Sequence, residues 1–119
     1  MHERLKWLDH NGKKILYNDY RNLAGDEMLK PIQEMSRIVA SLGEKDLLLL
    51  LDFRDSFANK ANLEALKKAG EKNKHLYKKT AVLGITGIKK VFLEMINRLT
   101  NIGAKPFKNE EEAKDWLVS

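Results

Sequence analysis

"DLLLLLDF", residues 46–53, has no polar face. Five consecutive leucines between two aspartates are too few to cross a membrane and carry no helical period. A short, continuous apolar run of this kind is what a central β-strand shows when helices cover both faces of its sheet. The reading of this stretch sets the rest of the chain, because a strand buried on both sides requires further strands beside it and helices above and below.

Those elements can be found on either side. Upstream, "RLKWLDH" and "KILYNDY" are β-prone runs separated by Asn11-Gly12, a dipeptide whose tolerance of positive φ at both central positions makes it a strong hairpin signal. Next, "GDEMLKPIQEMSRIVASLG" places Met28, Ile32, Met35, Val39 and Leu42 on one stripe of a helix ending near Gly43. Pro31 falls inside that stripe, so either the first turn is irregular or the regular helix begins close to it. Downstream, "NKANLEALKKAGEKN" reads as a helix capped by Asn59 with Leu63 and Leu66 facing inward. "KKTAVLG" is a second buried strand. Thr86 is the expected cap of the following helix, in which Ile88, Val91, Phe92, Met95, Ile96 and Leu99 form a broad apolar stripe. "AKPF" is a short strand that Pro106 confines to an edge or strand end. Asn109 and Glu112 open a last helix with capping-box spacing, and Trp116 and Leu117 pack it back on the core.

The order is therefore β-β-α-β-α-β-α-β-α, an α/β fold with a mixed, mostly parallel sheet of about five strands and about four helices. At 119 residues the chain is expected to form a single domain spanning 1–119. Ligands in such sheets favour the crevice beyond the carboxyl ends of the parallel strands. That directs attention to two loops, Asp52 to Asn59 and Gly84 to Gly87.

Composition narrows the function classes. The chain has no cysteine, which removes disulfides, thiol catalysis and Cys-ligated zinc and agrees with a cytoplasmic location. Its first residues, "MHERLKWLDHNGKK", carry no apolar core of a signal peptide. His2, His10 and His75 lack metal-ligand spacing, no nucleophile elbow occurs, and no cofactor motif is present, so no enzymatic activity is expected. Asp19, Asp52 and Asp55 can converge at one sheet end, but general acid/base work would need a pocket around them. The net charge is +5, and nine lysines between Lys60 and Lys90 face only Glu64 and Glu71. A basic face there would attract nucleic acid, anionic membrane or an acidic partner, although lysine without interleaved aromatic residues is a weak recognition signal.

Four segments, "KKILYNDYRNLAG" (13–25), "LLLLLDF" (47–53), "KKTAVLGITGIKKVFLEMINRLT" (78–100) and "FKNEEEAKDWL" (107–117), give the chain a family likeness. It resembles the small SpoIIAA-like proteins of the STAS superfamily, also described as STAS/SEC14-like. The resemblance implies an α/β domain without established catalytic activity, and roles by analogy in partner regulation or ligand binding. In the anti-anti-sigma members a regulatory serine or threonine stands at the start of the helix after the leucine-type strand, in an Asp-Ser-x-Gly type sequence. Here Asp55-Ser56 is followed by Phe57 and the helix starts at Asn59-Lys60-Ala61-Asn62, so the matching position has no hydroxyl. Ser56 is accordingly expected to make a local turn hydrogen bond, with Asp52 and Asp55 as solvated or loop-capping groups and Arg54 paired with one of them.

Three functions follow as expectations. The first is a non-catalytic regulatory module that docks a protein partner through Asp52, Arg54, Asp55, Ser56 and the helix bearing Lys60, Lys67 and Lys68. The second is a carrier or sensor of a small apolar or anionic ligand, or a lipid, in a cavity lined by Met28, Met35, Phe92 and Met95. In that case Gly84, Thr86 and Gly87 can bring backbone N–H groups to an anion, with Lys89 and Lys90 behind them. The third is nucleic-acid binding on the lysine-rich face. The strand "AKPF" and the first hairpin are the segments through which a homodimer would pair.

Overall fold

The structure, a computed structural model, describes residues 1–119. One five-stranded sheet runs in the order β1-β2-β3-β4-β5, formed by Leu5–His10, Lys13–Asp19, Leu47–Asp52, Tyr77–Leu83 and Lys105–Phe107. Only the first pair is antiparallel. Asn11 and Gly12 both have positive φ, 49° and 82°, so the turn fixes the hairpin register that sets Leu5 opposite Asn18. The leucine run is the middle strand, as its apolar sequence requires.

Helices α1 (Asp26–Ser41), α2 (Lys60–Asn73) and α3 (Ile88–Thr100) are the crossovers between successive parallel strands. Right-handed crossovers taken in one direction along a sheet place all three on one face. Helix α4 (Glu110–Val118) returns across the other face. Strand alternation sorts the core accordingly. Leu16, Leu47, Leu49, Phe53 and Val82 join Met28, Ile32, Met35 and Val39 of α1 in one cluster. Ile15, Tyr17, Leu48, Leu50, Ala81 and Leu83 meet Ala113 and Leu117 of α4 in another. The four stripe residues of α1 are at most 2% exposed, and burying each stabilises the fold by about 1.5–3 kcal/mol.

Local signals explain the ends. Asn59 accepts from the Asn62 N–H while the Asn62 side chain accepts from the Asn59 N–H, a reciprocal cap, and Asn109 accepts from the Glu112 N–H. Helix α1 runs straight through Pro31 from Asp26, so proline sits in its second turn. Strand β5 is the short edge strand that Pro106 demands.

Two expectations about α3 are corrected. Its N-cap is Gly87 at φ 57°, not Thr86, whose exposed side chain makes no cap. Its apolar stripe is only half covered: Phe92, Leu93 and Ile96 turn toward the sheet, whereas Ile88, Val91, Met95 and Leu99 are 43–64% exposed. The stripe is wider than one helix can bury against a sheet whose neighbouring strand has three residues.

Candidate functional site

The loop after β3 is organised by two consecutive acceptors, the Asp52 carboxylate and the Phe53 main-chain carbonyl. Asp52 faces α4 and is fully buried, not solvated. Its carboxylate accepts the Tyr17 hydroxyl at 2.5 Å, the Arg54 guanidinium at 2.9 and 2.6 Å, and the Arg54 N–H at 3.1 Å. Burial pushes this carboxyl up, but Arg54 and Tyr17 outweigh it and hold it below the usual carboxylate range. The same burial and the same hydrogen bond raise the Tyr17 phenol far above its ordinary value. Arg21 links this group to Asp19, at 3.8 Å from Asp52 and 2.9 Å from Asp19. Of the three aspartates expected to converge, Asp19 and Asp52 do. Asp55 stands apart, exposed and at φ 56°. Every charge in the cluster is paired, which describes a structural lock.

The Phe53 carbonyl is the second organiser. It accepts the Ser56 hydroxyl at 2.6 Å, the Ser56 N–H at 3.2 Å and the Lys89 ammonium at 3.0 Å. Ser56 is 1% exposed, so its hydroxyl makes the turn hydrogen bond expected of it. Lys89 also donates to the Gly84 carbonyl at 3.0 Å, and burial lowers its pKa despite the Asp55 charge nearby. Its ammonium is turned inward. Gly84, Thr86 and Gly87 therefore do not form an anion cradle backed by that lysine. A Cβ at Gly84 would lie 2.4 Å from the Arg54 nitrogen, so the glycine permits the two loops to touch.

On the face opposite Asp52, the sheet and helices α1, α2 and α3 line an apolar cavity of about 110 Å³ that is partly open to solvent. Eighteen of its 24 lining residues are hydrophobic. Leu49 and Val82 form its floor, Val39 and Leu66 its sides, and Phe92 and Ile96 of α3 its roof. Phe92 is where it was expected. Met28 and Met35 are instead sealed in the core, and Met95 points outward. Helical spacing marks an inward face but cannot say whether that face meets packed atoms or space.

Several polar residues that line this cavity were missed by sequence reasoning, among them Tyr20, Tyr77 and Thr80. Thr80 of β4 is 2% exposed, and its Oγ1 has no hydrogen-bond partner. The only signal was a hydroxyl in the middle of the buried run "KKTAVLG".

The lysine-rich segment is less free than its composition suggests. Lys74, Lys79 and Lys89 are bonded to backbone carbonyls of Thr100, of Trp116 and Ser119, and of Phe53 and Gly84. Lys60 and Lys68 are exposed on α2 and Lys67 is half-buried, away from the Asp52 cluster on the other side of the sheet. His10 meets α4, 2.8 Å from Asp115 and 3.9 Å from Glu111, a grouping invisible in sequence because it spans the chain. The hydrogen bond between His10 Nε2 and the Asp115 carboxylate accounts for it.

The family model described as SpoIIAA-like matches residues 12–118. The chain belongs to the SpoIIAA-like family. In this SpoIIAA-like chain the match spans the hairpin turn to the last turn of α4. The fold is similar to a crystal structure of an uncharacterised protein of the DUF3478 family with a SpoIIAA-like fold from Shewanella loihica PV-4. The TM-score is 0.70 at 16% identity, covering 95% of this chain and 91% of that one. No curated protein matches the chain. No helix is long and apolar enough to cross a membrane.

Proposed function

We propose that this SpoIIAA-like domain is a non-catalytic, cytoplasmic ligand-binding module, a carrier or sensor of a small apolar molecule. The observation that carries the reading is the apolar cavity between the sheet and helices α1–α3. Ligand sites are concave and mostly apolar, and a small molecule seated in this partly open cavity would cover apolar side chains that otherwise meet water. The paired charges around Asp52 support a non-catalytic role, since none is left with a free proton-transfer partner. Native mass spectrometry of the protein purified gently from its host tests the proposal. A non-covalent adduct of small mass, absent after denaturation, is expected; a bare chain under conditions that preserve a known weak complex contradicts it.

A second reading, the regulatory module, is favoured by the outer face of α3. Ile88, Val91, Met95 and Leu99 run along it, and Phe57, 73% exposed, sits within reach of Lys89 at its start. Exposed apolar stripes of this kind serve protein docking. Val91→Glu with Met95→Glu would abolish partner retention in a pull-down, and Lys67→Glu with Lys68→Glu would weaken it if α2 takes part. Retention by all four substitutions would exclude docking there. Nucleic-acid binding on the lysine face has less support, because three of its nine lysines are held by carbonyls; absence of binding at low salt would remove it.

A further inference from the structure

The apolar surface of the cavity does not end at its α3 wall. Phe92 and Ile96 line the cavity and are only half-buried. On the helix surface Ile88 and Met95 stand one turn from Phe92, and Leu99 one turn from Ile96, so the exposed stripe continues the cavity wall. That stripe is the side of α3 turned toward α2. Asn97, on the opposite side of the helix, bonds the Ala104 N–H at 2.8 Å and the Ala104 carbonyl at 2.9 Å, just before β5. Helices α2 and α3 are pinned together at their C-terminal ends: a Cβ at Gly70 would lie 2.5 Å from Ile102, and Lys74 donates to the Thr100 carbonyl at 3.1 Å. Toward the other end Leu63 and Leu66 of α2 line the cavity yet stay half-buried, and Phe57 is exposed. The two helices therefore bound a cleft that leads into the cavity.

One ligand shape covers both features. From Ile88 to Leu99 the stripe is roughly 16 Å long at 1.5 Å per residue. A protein helix, about 10 Å across with its side chains, can lie on the stripe but cannot enter the cavity. A ring-sized molecule can enter the cavity but leaves the stripe in water. An extended hydrocarbon chain does both. Lys67 lies between Leu63 and Gly70, which both line the cavity, and is half-buried itself. Among the helical pairs one turn apart, Lys30–Glu34 and Lys114–Glu110 form ion pairs, whereas Lys67 pairs with neither Glu64 nor Glu71. An unpaired cation at the rim of an apolar cleft favours an anionic head. Resting on the ligand-binding reading above, we propose that the site takes a long acyl chain with a carboxylate head, its tail in the cavity, its middle along Ile88, Met95 and Leu99, and its head at Lys67.

Titration with hexanoate, laurate and dodecanol, followed on the methyl NMR signals of Leu49, Val82 and Met95, tests this. Laurate is expected to bind roughly tenfold or more tighter than hexanoate, since each further methylene covered is worth about fourfold. Ile88→Gln with Met95→Gln, both at exposed positions, should remove most of that gain and leave hexanoate unchanged. Lys67→Gln should weaken laurate about threefold, the effect of one solvent-facing charge pair, and leave dodecanol unchanged. In the wild-type complex, NOEs should join the terminal methyl of laurate to Leu49 or Val82, a readout that needs no variant. A chain-length gain that survives the paired substitution, equal losses of laurate and dodecanol in Lys67→Gln, or NOEs from Val82 to the methylene beside the carboxylate would overturn the inference. A ligand-free dimer in sedimentation that the paired substitution breaks would also overturn it, by assigning the stripe to a second copy. If none of the three probes moves these signals, the ligand-binding reading itself fails; hexanoate binding with no gain for laurate removes only the long chain.

Discussion

Tyr17 donates its hydroxyl to Asp52 Oδ2 at 2.5 Å across two neighbouring parallel strands, in a place where Asp52 has no exposure at all. Tyr17 stands opposite Leu50, so Asp52 is its diagonal neighbour on the α4 face, a geometry that period-two alternation dictates. Removing one partner leaves a charged acceptor short of a donor. Tyr17→Phe is expected to lower stability by about 1–3 kcal/mol in urea denaturation. An unchanged midpoint would mean that Arg54 alone satisfies Asp52.

The same cluster sets an acid limit. Asp52 and Asp19 are held below the usual carboxylate range by their arginine and tyrosine partners, against the opposing effect of burial. As pH falls, the unfolded chain therefore takes up these protons first. Their stabilisation is complete above about pH 5 and is lost as pH falls toward the folded-state values. Asp52→Asn should cost about 3 kcal/mol at neutral pH and flatten the decline below pH 5. Stability measured by chemical denaturation across pH 2–7 checks both parts, and a parallel decline in wild type and variant would contradict the assignment.

Gly84 and Gly12 make a controlled pair. Both have positive φ, 78° and 82°, but a Cβ at Gly84 would strike the Arg54 backbone whereas one at Gly12 meets open space. Gly12→Ala is expected to cost about 1 kcal/mol from left-handed strain alone. Gly84→Ala should exceed about 2 kcal/mol, because the loops after β3 and β4 must separate. Thermal denaturation of the two variants decides; equal losses would refute the close contact.

Ser56 is expected to remain unphosphorylated in the folded protein, since its hydroxyl is buried against the Phe53 carbonyl. Ser56→Asp would put an unpaired charge in that turn and destabilise the domain instead of imitating a switch. Intact mass after incubation with broad-specificity kinases should show no phosphate on Ser56, and its appearance on the folded chain would overturn this view.

What the sequence disclosed and what it concealed have the same physical origin. The leucine run, Asn11-Gly12 and the Asn59 cap act through the backbone within a few residues, so β3, the hairpin and the start of α2 were legible. The Ser56 turn was legible for the same reason. Asp52 was not, because its burial depends on Tyr17, 35 residues away, and on α4 above it. The stripe of α3 was visible as a pattern, yet how much of it is covered depends on where the sheet stops. The cavity was not legible either, because the space between α2, α3 and the sheet is set by how elements far apart in the chain pack.

Ligand binding depends on the apolar space between the sheet and helices α1, α2 and α3. Diffraction from crystals of this protein held under xenon pressure tests it directly, since dry apolar cavities take up xenon. A xenon peak between Leu49, Val82, Phe92 and Ile96 is the expected result. Density filled by repacked α2 and α3 side chains, with no xenon there, would contradict it.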